Sequence, residues 1–282
     1  MSANYAVSRM TREEMPLAIQ WATNEGWNPG LHDAECFFEA DTQGFFVGKL
    51  DGKIIAMGSA VVYDDQFAFC GFYMVAPEYR GQGYGLELTR HRLDYVGNRN
   101  AGIDGVLSML NKYERLGYQI AHRNARYQGQ GLSILKEFNQ AIVPLGPEHH
   151  EALFAYDRRH FPAPREHFLK HWIKQPEGAA LAWIMDGQIK GYGVLRACQQ
   201  GFKIGPLFAD NSHIAFGLFD SLVSHARGET VYIDVPENNP HALALVNRHA
   251  MQKCFATARM YLKGEPKLPT EHIYGITTFE LG

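Results

Sequence analysis

The period of the apolar positions changes several times along the chain, and the changes divide it into helix and strand signals. Thr11 with Glu14 three residues on has the form of a capping box, and Leu17, Ile19, Trp21 and Ala22 carry on a partly helical pattern. HDAECFFEAD (32–41) predicts a second short helix. GFFVGKL and KIIAMGSAVVY are β-rich runs joined by Asp51-Gly52, a hairpin signal. QFAFCGFYMV (66–75) is apolar throughout, as expected of a strand covered on both faces. Leu86, Leu88, Leu93 and Val96 suit a helix over 86–99, with Arg90, His91, Arg92 and Asp94 on its wetter side. DGVLSML (104–110) predicts a strand, KYERLGY (112–118) one or two helical turns, and IAHRNARYQ a further strand.

The same order then recurs. QGQGLSILKEFNQAIVPLGPEHH (128–150) carries glycines, prolines and little periodicity, and a domain boundary is expected within it, giving 1–138 and 139–282. Beyond it come helical signals (EHHEALFAYDRRHF, then EHFLKHWI) and a second hairpin over 180–197 turning at Asp186-Gly187. A strand (202–209), an amphipathic helix (212–226), a strand (230–236) and a helix (239–251) complete the series. The repeat is read in element order, not in residue identity. The last stretch, EPKLPTEHIYGITTFELG, leaves room for a final strand crossing between the halves, without an assigned role.

A chain of 282 residues fits two domains of average size. Its net charge of −3 offers no basic footprint for nucleic acid or an anionic membrane. Cys36, Cys70, Cys198 and Cys254 are far apart and form no CxxC, so neither a disulfide framework nor a cysteine metal site is expected, and Cys70 reads as a buried structural thiol. The thirteen histidines form no Cys/His cluster, and no metal is expected. The first residues lack an apolar h-region and no apolar run approaches membrane-spanning length, which reads as a soluble cytoplasmic protein.

Candidate chemistry concentrates in VAPEYRGQGYGLEL (75–88). A strand gives way at Pro77, three glycines alternate, and a helix begins within the turn. The first N–H groups of a helix have no internal partner and sit at the positive end of its dipole, so they receive phosphate. Missing Cβ atoms at Gly81, Gly83 and Gly85 would let phosphate oxygens reach those amides, and Arg80 adds a forked cationic donor. No Lys-Ser or Lys-Thr comes after it, as a P-loop needs, and the G-x-G-x-G spacing after a hairpin is not a Rossmann loop.

The string R-x-x-G-x-G, with Arg80, Gly83 and Gly85 in register, resembles the pyrophosphate loop of the GNAT family of acyl-CoA-dependent N-acetyltransferases. The resemblance implies an α/β fold (α+β mixed sheet) of two GNAT-like domains, each a mixed, mostly antiparallel sheet flanked by helices. It implies acetyl-CoA as cosubstrate. The backbone of Tyr73, Met74 and Val75 would pair with the pantetheine arm, and Gly81, Gln82, Gly83, Tyr84, Gly85 and Leu86 would hold the pyrophosphate. YERLGY (113–118) is similar to the family's Y-E-K-L-G-F, which makes Tyr113 the candidate acid that protonates the departing thiolate. Asn111 stands only two residues before it, so the family's asparagine contact is displaced. QFAFCGFYMV holds no acid, and Asp64 and Asp65 read as turn residues. The proton of the amine would pass to water or to a carboxylate elsewhere in the chain.

In the second half, Asn239, Ala242 and Leu245 resemble the family's N-x-x-A-x-x-L helix. FKIGPLFADNSHIAF has no arginine and no glycine cluster, and Asp210 would set a negative charge where a pyrophosphate should sit. The whole is similar to tandem GNAT proteins in which one half binds acetyl-CoA and the other completes the substrate site. Asp157, His160, Arg165, Trp172 and Asp234 are the candidate substrate contacts: carboxylates for a cationic amine, Arg165 for a carboxylate if the acceptor is an amino acid. The expected reaction is direct transfer of an acetyl group to a primary amine of a small molecule or amino acid. A non-catalytic acyl-CoA sensor is the alternative, and aminoacyl transfer from tRNA is disfavoured by the acidic charge. The acceptor and the oligomeric state stay open.

Overall fold

The computed structural model describes residues 4–131 and 139–282, so the boundary expected at 138/139 lies at the edge of a stretch, 132–138, outside the described residues. The first half holds β1 (Tyr5–Arg9), α1 (Met15–Asn24), α2 (Asp33–Ala40), β2 (Phe45–Leu50), β3 (Lys53–Val62), β4 (Phe67–Val75), α3 (Tyr84–Val96), β5 (Asn100–Val106), α4 (Leu110–Arg115) and β6 (Gln119–Gly129). The second holds β7 (Ile142–Pro144), α5 (His150–Asp157), α6 (Glu166–Trp172), β8 (Ala179–Met185), β9 (Gln188–Ala197), β10 (Phe202–Ala209), α7 (Ser212–His225), β11 (Val231–Pro236), α8 (Pro240–Arg248), β12 (Gln252–Tyr261) and β13 (Ile273–Gly275). No helix of the described residues is long and apolar enough to cross a membrane.

Local signals fold as their chemistry dictates. The Glu14 carboxylate accepts from the Thr11 amide at 3.0 Å, completing the capping box. Both D-G turns place two successive residues at positive φ, Asp51 with Gly52 and Asp186 with Gly187, which matches the twist of a two-residue hairpin. Asp64 is a turn residue, accepting from the amides of Gln66 and Phe67. The strand expected over 104–110 instead covers Asn100–Val106 and gives way to a short 3-10 turn at Leu107–Met109.

One mixed sheet crosses the whole molecule in the order β1-β2-β3-β4-β5-β12-β6-β11-β10-β9-β8-β7, with β13 paired to β10. The centre of this order is an exchange of strands. β12, from the second half, lies between β5 and β6; β6, from the first half, lies between β12 and β11. The exchange is stitched by two equivalent ion pairs. Arg259 on β12 faces Asp104 on β5 (Nε 3.1 Å, Nη2 2.7 Å), and Arg126 on β6 faces Asp234 on β11 (Nε 2.7 Å, Nη2 2.8 Å). Each arginine opposes its aspartate in the strand register. Here the repeat does reach residue identity: Ile103-Asp104 matches Ile233-Asp234, and Ala125-Arg126 matches Ala258-Arg259.

The two faces of the sheet differ. On one, α3 and α4 cover a core of the first half (Leu88, Ile103, Tyr118), while α7 and α8 cover a separate core of the second (Leu218, Phe219, Leu245). On the other, α1, α2, α5 and α6 share a single core, in which Phe37 of α2 stacks on Trp172 of α6 with ring centroids 6.0 Å apart. Burying that shared apolar face, at roughly 25 cal/mol per Å², holds the halves together as one body.

Candidate active site

β4 and β5 run parallel and pair only through Phe67, Phe69 and the residue between them. From Cys70 onward β4 has no strand partner on that side among the described residues, so a cleft opens between the two strands. The divergence coincides with a bulge against β3, where Phe72 takes φ +51°. A non-glycine residue held there is a local strain of the kind found at functional sites. Tyr73, Met74 and Val75 lie along the open edge, as the pantetheine expectation requires. One acceptor of that edge is already used: the Val75 carbonyl takes a 2.8 Å hydrogen bond from Arg80 Nε.

At the end of the cleft Gly81 and Gly83 take φ +78° and +93°, and a Cβ at either would meet nothing within 4 Å. Gly83 is the N-cap of α3 and provides no side-chain cap, and no acceptor within the described protein takes the N–H groups of Gly81, Gln82, Gly83, Tyr84 and Gly85. The result is a concave row of free amides at a helix N-terminus. Arg80, half exposed, leads into the turn, with its Nη2 paired to Glu25. Gly85 has a different reason from the one expected. Its Cβ would lie 2.1 Å from Tyr73 Oη and 2.9 Å from Val75, so this glycine lets α3 close on β4 and opens no path for phosphate.

Tyr113 enters from α4 with its ring against Gly105 of β5, where a Cβ would come within 2.8 Å. Burial raises the Tyr113 phenol above its ordinary pKa, against the opposing field of Arg92, so it holds its proton at neutral pH. Asn111 is exposed at the start of the same helix.

The candidate substrate residues of the second half are placed elsewhere than expected. Asp157 and Arg165 satisfy each other in a buried bidentate pair (2.7 and 2.9 Å), and Tyr192 donates to the same carboxylate. Asp234 is locked by Arg126. Burial would raise its carboxyl, but Arg126 outweighs that and holds it below its ordinary value. Trp172 is fully buried and donates Nε1 to the Gly205 carbonyl at 2.9 Å. These four groups are therefore internal fastenings, and none presents a free polar atom to a ligand. His160 is buried in the second half. Burial pushes its imidazole down to about 4, a hydrogen bond with the Tyr156 carbonyl opposes this, and Nε2 has no partner among the described residues. His160, Asp210 and His272 bring one ligand atom each within 4.8 Å of one another, but Tyr156 Oη already donates to Asp210 at 2.8 Å. The sequence does hold one H-x-x-x-H spacing, His167 and His171 in EHFLKHWI, contrary to the reading of the histidines as unclustered; on α6 their rings lie 5.3 Å apart at its surface.

The C-terminal stretch, without a role in the sequence, has one in the architecture. β10 and β11 diverge as β4 and β5 do, pairing only through Phe202, Lys203 and Ile204, and β13 occupies the gap. The chain then runs on over β10 and β4. The Thr277 carbonyl lies where a Cβ of Gly205 would be (2.4 Å), and the Glu280 carbonyl where a Cβ of Gly71 would be (2.0 Å). Thr277 Oγ1 accepts from Arg165 at 2.8 Å, and the Leu281 carbonyl accepts from Tyr63 Oη at 2.8 Å. Beside the tail, the loop after α1 reaches into the second half: Lys203 Nζ donates to the Asn28 carbonyl at 2.8 Å, and Asn28 pairs with Gln200.

Comparison with known proteins agrees with this geometry. A model of the acetyltransferase (GNAT) family matches residues 8–118, and one of an acetyltransferase (GNAT) domain matches residues 153–275. The chain belongs to the GNAT family, in the tandem form, and is an acyltransferase. It is similar to a holothin acyltransferase of Pseudoalteromonas sp. (strain SANK 73390), with 29% identity over 272 residues, 96% of this chain and 92% of that protein. A proposed acetyltransferase from Pyrococcus horikoshii has the same fold, with a TM-score of 0.83 and 19% identity, over 99% of this chain and 96% of that one. A tandem GNAT protein from the clavulanic acid biosynthesis pathway matches with a TM-score of 0.63 and 11% identity, over 94% of this chain and all of that one.

Proposed function

We propose that this GNAT protein transfers an acetyl group from acetyl-CoA to a primary amine of a small molecule or amino acid, by direct attack and without a covalent enzyme intermediate. The observation that carries the reading is the open β4–β5 cleft ending on free amides at Gly81–Gly85, just after Arg80. The coenzyme's pyrophosphate takes those amides together with the guanidinium. The pantetheine arm lies along Tyr73, Met74 and Val75, which brings the thioester to the bulge at Phe72. Tyr113, kept protonated, gives its proton to the departing thiolate.

Residues 1–138 bind the coenzyme in this reading, and residues 139–282 complete the acceptor side. Two of the similar proteins are named for holothin and for clavulanic acid biosynthesis, neither for a protein or nucleic-acid acceptor, which supports a small-molecule amine. The protein acts as a soluble cytoplasmic enzyme without a metal cofactor. The test is thiol release from acetyl-CoA with a panel of amines and amino acids, alongside calorimetry with coenzyme A. Release that depends on one amine, falls in Tyr113→Phe and loses coenzyme affinity in Arg80→Ala is expected. Tight coenzyme binding with no release over a broad panel would make the protein a sensor instead.

A further inference from the structure

We infer that Glu280, on the tail that ends the second half, accepts the proton of the attacking amine in the first half's acyl site. The inference rests on the acyl-transfer reading above and supplies the group it lacks. An alkyl amine reaches neutral solution as an ammonium ion, whose nitrogen has no lone pair to attack with. Something must take a proton, and β4, Phe67–Val75, contains no acid.

The carboxylates buried around the two halves are otherwise committed. Asp33 accepts from the Gly30 amide and pairs with Arg196 at 3.0 Å. Asp104 is held by Arg259, Asp157 by Arg165 and Tyr192, and Asp234 by Arg126. Glu280 alone among them has no ion pair and no hydrogen bond on its carboxylate among the described residues, although it is only 5% exposed. An unpaired buried carboxylate is costly, so its presence asks for a purpose.

Its position is fixed from both sides. The Glu280 backbone lies over Gly71 on one face of β4, one residue before the bulge at Phe72 and just past the point where β5 departs. Thr278 Oγ1 accepts from the amides of Glu280 (3.1 Å) and Leu281 (2.9 Å), and the Gly282 amide closes the turn on the Thr278 carbonyl at 3.1 Å. Gly71 carries no side chain because the tail needs that space. The charges that act on the carboxylate are those of Lys203 of β10, Arg126 of β6, Arg196 of β9 and Asp33 of α2. Burial raises the Glu280 carboxyl above its ordinary value while the three cations oppose the rise, which brings it nearer the pH at which it must take and release a proton.

The step balances within this set. Glu280 takes one proton from the ammonium and passes it to solvent, which frees the nitrogen lone pair. The lone pair attacks the thioester carbon, a C–N bond forms, and the second proton leaves the now positive nitrogen for a Glu280 oxygen. The C–S bond breaks, and the thiolate takes the Tyr113 proton. Exchange with solvent returns the proton from Glu280 to Tyr113 and restores both groups.

Glu280→Gln keeps shape and hydrogen bonding while removing basicity. With acetyl-CoA and an alkyl amine that the wild type acetylates, kcat should fall about 100-fold, with coenzyme A affinity within about twofold of wild type. An aromatic amine is neutral at pH 7 and needs less help, so its loss should be much smaller, and added formate should restore part of the rate in Glu280→Ala. Equal losses for both amines, loss of coenzyme affinity in proportion to rate, or full activity in Glu280→Gln would each overturn the assignment. A wild-type protein that acetylates no amine sinks the acyl-transfer reading itself, and the role of Glu280 falls with it.

Discussion

After β4 the chain spends eight residues, Ala76 to Gly83, on reaching α3; after β10 it spends two, Asp210 and Asn211, on reaching α7. The strands on either side behave alike, since β4 leaves β5 and β10 leaves β11 after three paired positions each. Past those positions the two clefts differ in every chemical respect. The first cleft stays open and ends on amides without acceptors. The second is filled by β13, and its helix start is closed by Asn211, whose side chain accepts from the Ile214 amide at 3.1 Å, with the Asp210 carboxylate alongside. A fold builds the same opening twice, and the proposed function gives ligand binding to the copy whose backbone groups are left unsatisfied. The filled copy is structural, and its plug continues as the tail that reaches the open one.

The most damaging way to test this pseudo-symmetry is to break the ion pairs at its axis. Asp234→Ala leaves Arg126 buried and uncompensated, and Asp104→Ala does the same to Arg259. Each should cost about 3–5 kcal/mol in urea unfolding, the usual cost of removing one partner of a buried pair. Matched losses mean that the two exchanged strands carry equal load. A loss below about 1 kcal/mol at either site would show that the exchange is held by its backbone ladder alone.

A smaller effect of the second half is read by pH. His160, buried in the second half, titrates near 4 in the folded protein against an ordinary 6.5. Between those values the unfolded chain binds the extra proton, so stability rises with pH through the window and is lost as pH falls through it. The amplitude is on the order of 3 kcal/mol. His160→Phe should flatten unfolding curves compared between about pH 7.5 and 4.5, and an unchanged slope in that variant would assign the pH dependence to other groups.

How much of this is legible in the sequence depends on whether the signal is local. The two hairpins are legible because Asp51-Gly52 and Asp186-Gly187 impose their own turn geometry. The loop at Arg80–Gly85 is legible because free amides need only a glycine turn and a helix start. β12 is not, although it is central to the sheet: QKCFATARMY has no clean alternation, since its early residues are exposed and its later ones are covered on both faces. Asp157, Arg165 and Asp234 look like ligand contacts for a related reason. A charged residue in an apolar run signals an unusual environment, but its partner is set by tertiary register. Glu280 lies beyond any motif because it is about 200 residues from the strand it serves, and only the close packing on Gly71 reveals it. The matching Ile-Asp and Ala-Arg pairs are the one readable trace of the strand exchange, and they count only once the strands are known to face each other.

The two helix starts give the finest comparison. Gly83→Val puts a β-branched residue at φ +93° and fills the space over the amides, so coenzyme A should bind at least tenfold more weakly, a loss of about 1.4 kcal/mol or more by calorimetry. Asn211→Ala removes the cap of α7 and should cost about 1 kcal/mol of stability while leaving coenzyme affinity where it was. Asn211→Gly is the sharper variant, because it frees the amides of α7 and makes that start resemble the first. If free amides alone were sufficient, this variant would bind a second equivalent of coenzyme A. The stoichiometry should stay at one, because β13 still lies where the pantetheine arm would have to run and Asp210 still repels the diphosphate. A second equivalent in that titration would mean that the plug yields to ligand, and that the difference between the halves lies in the cap.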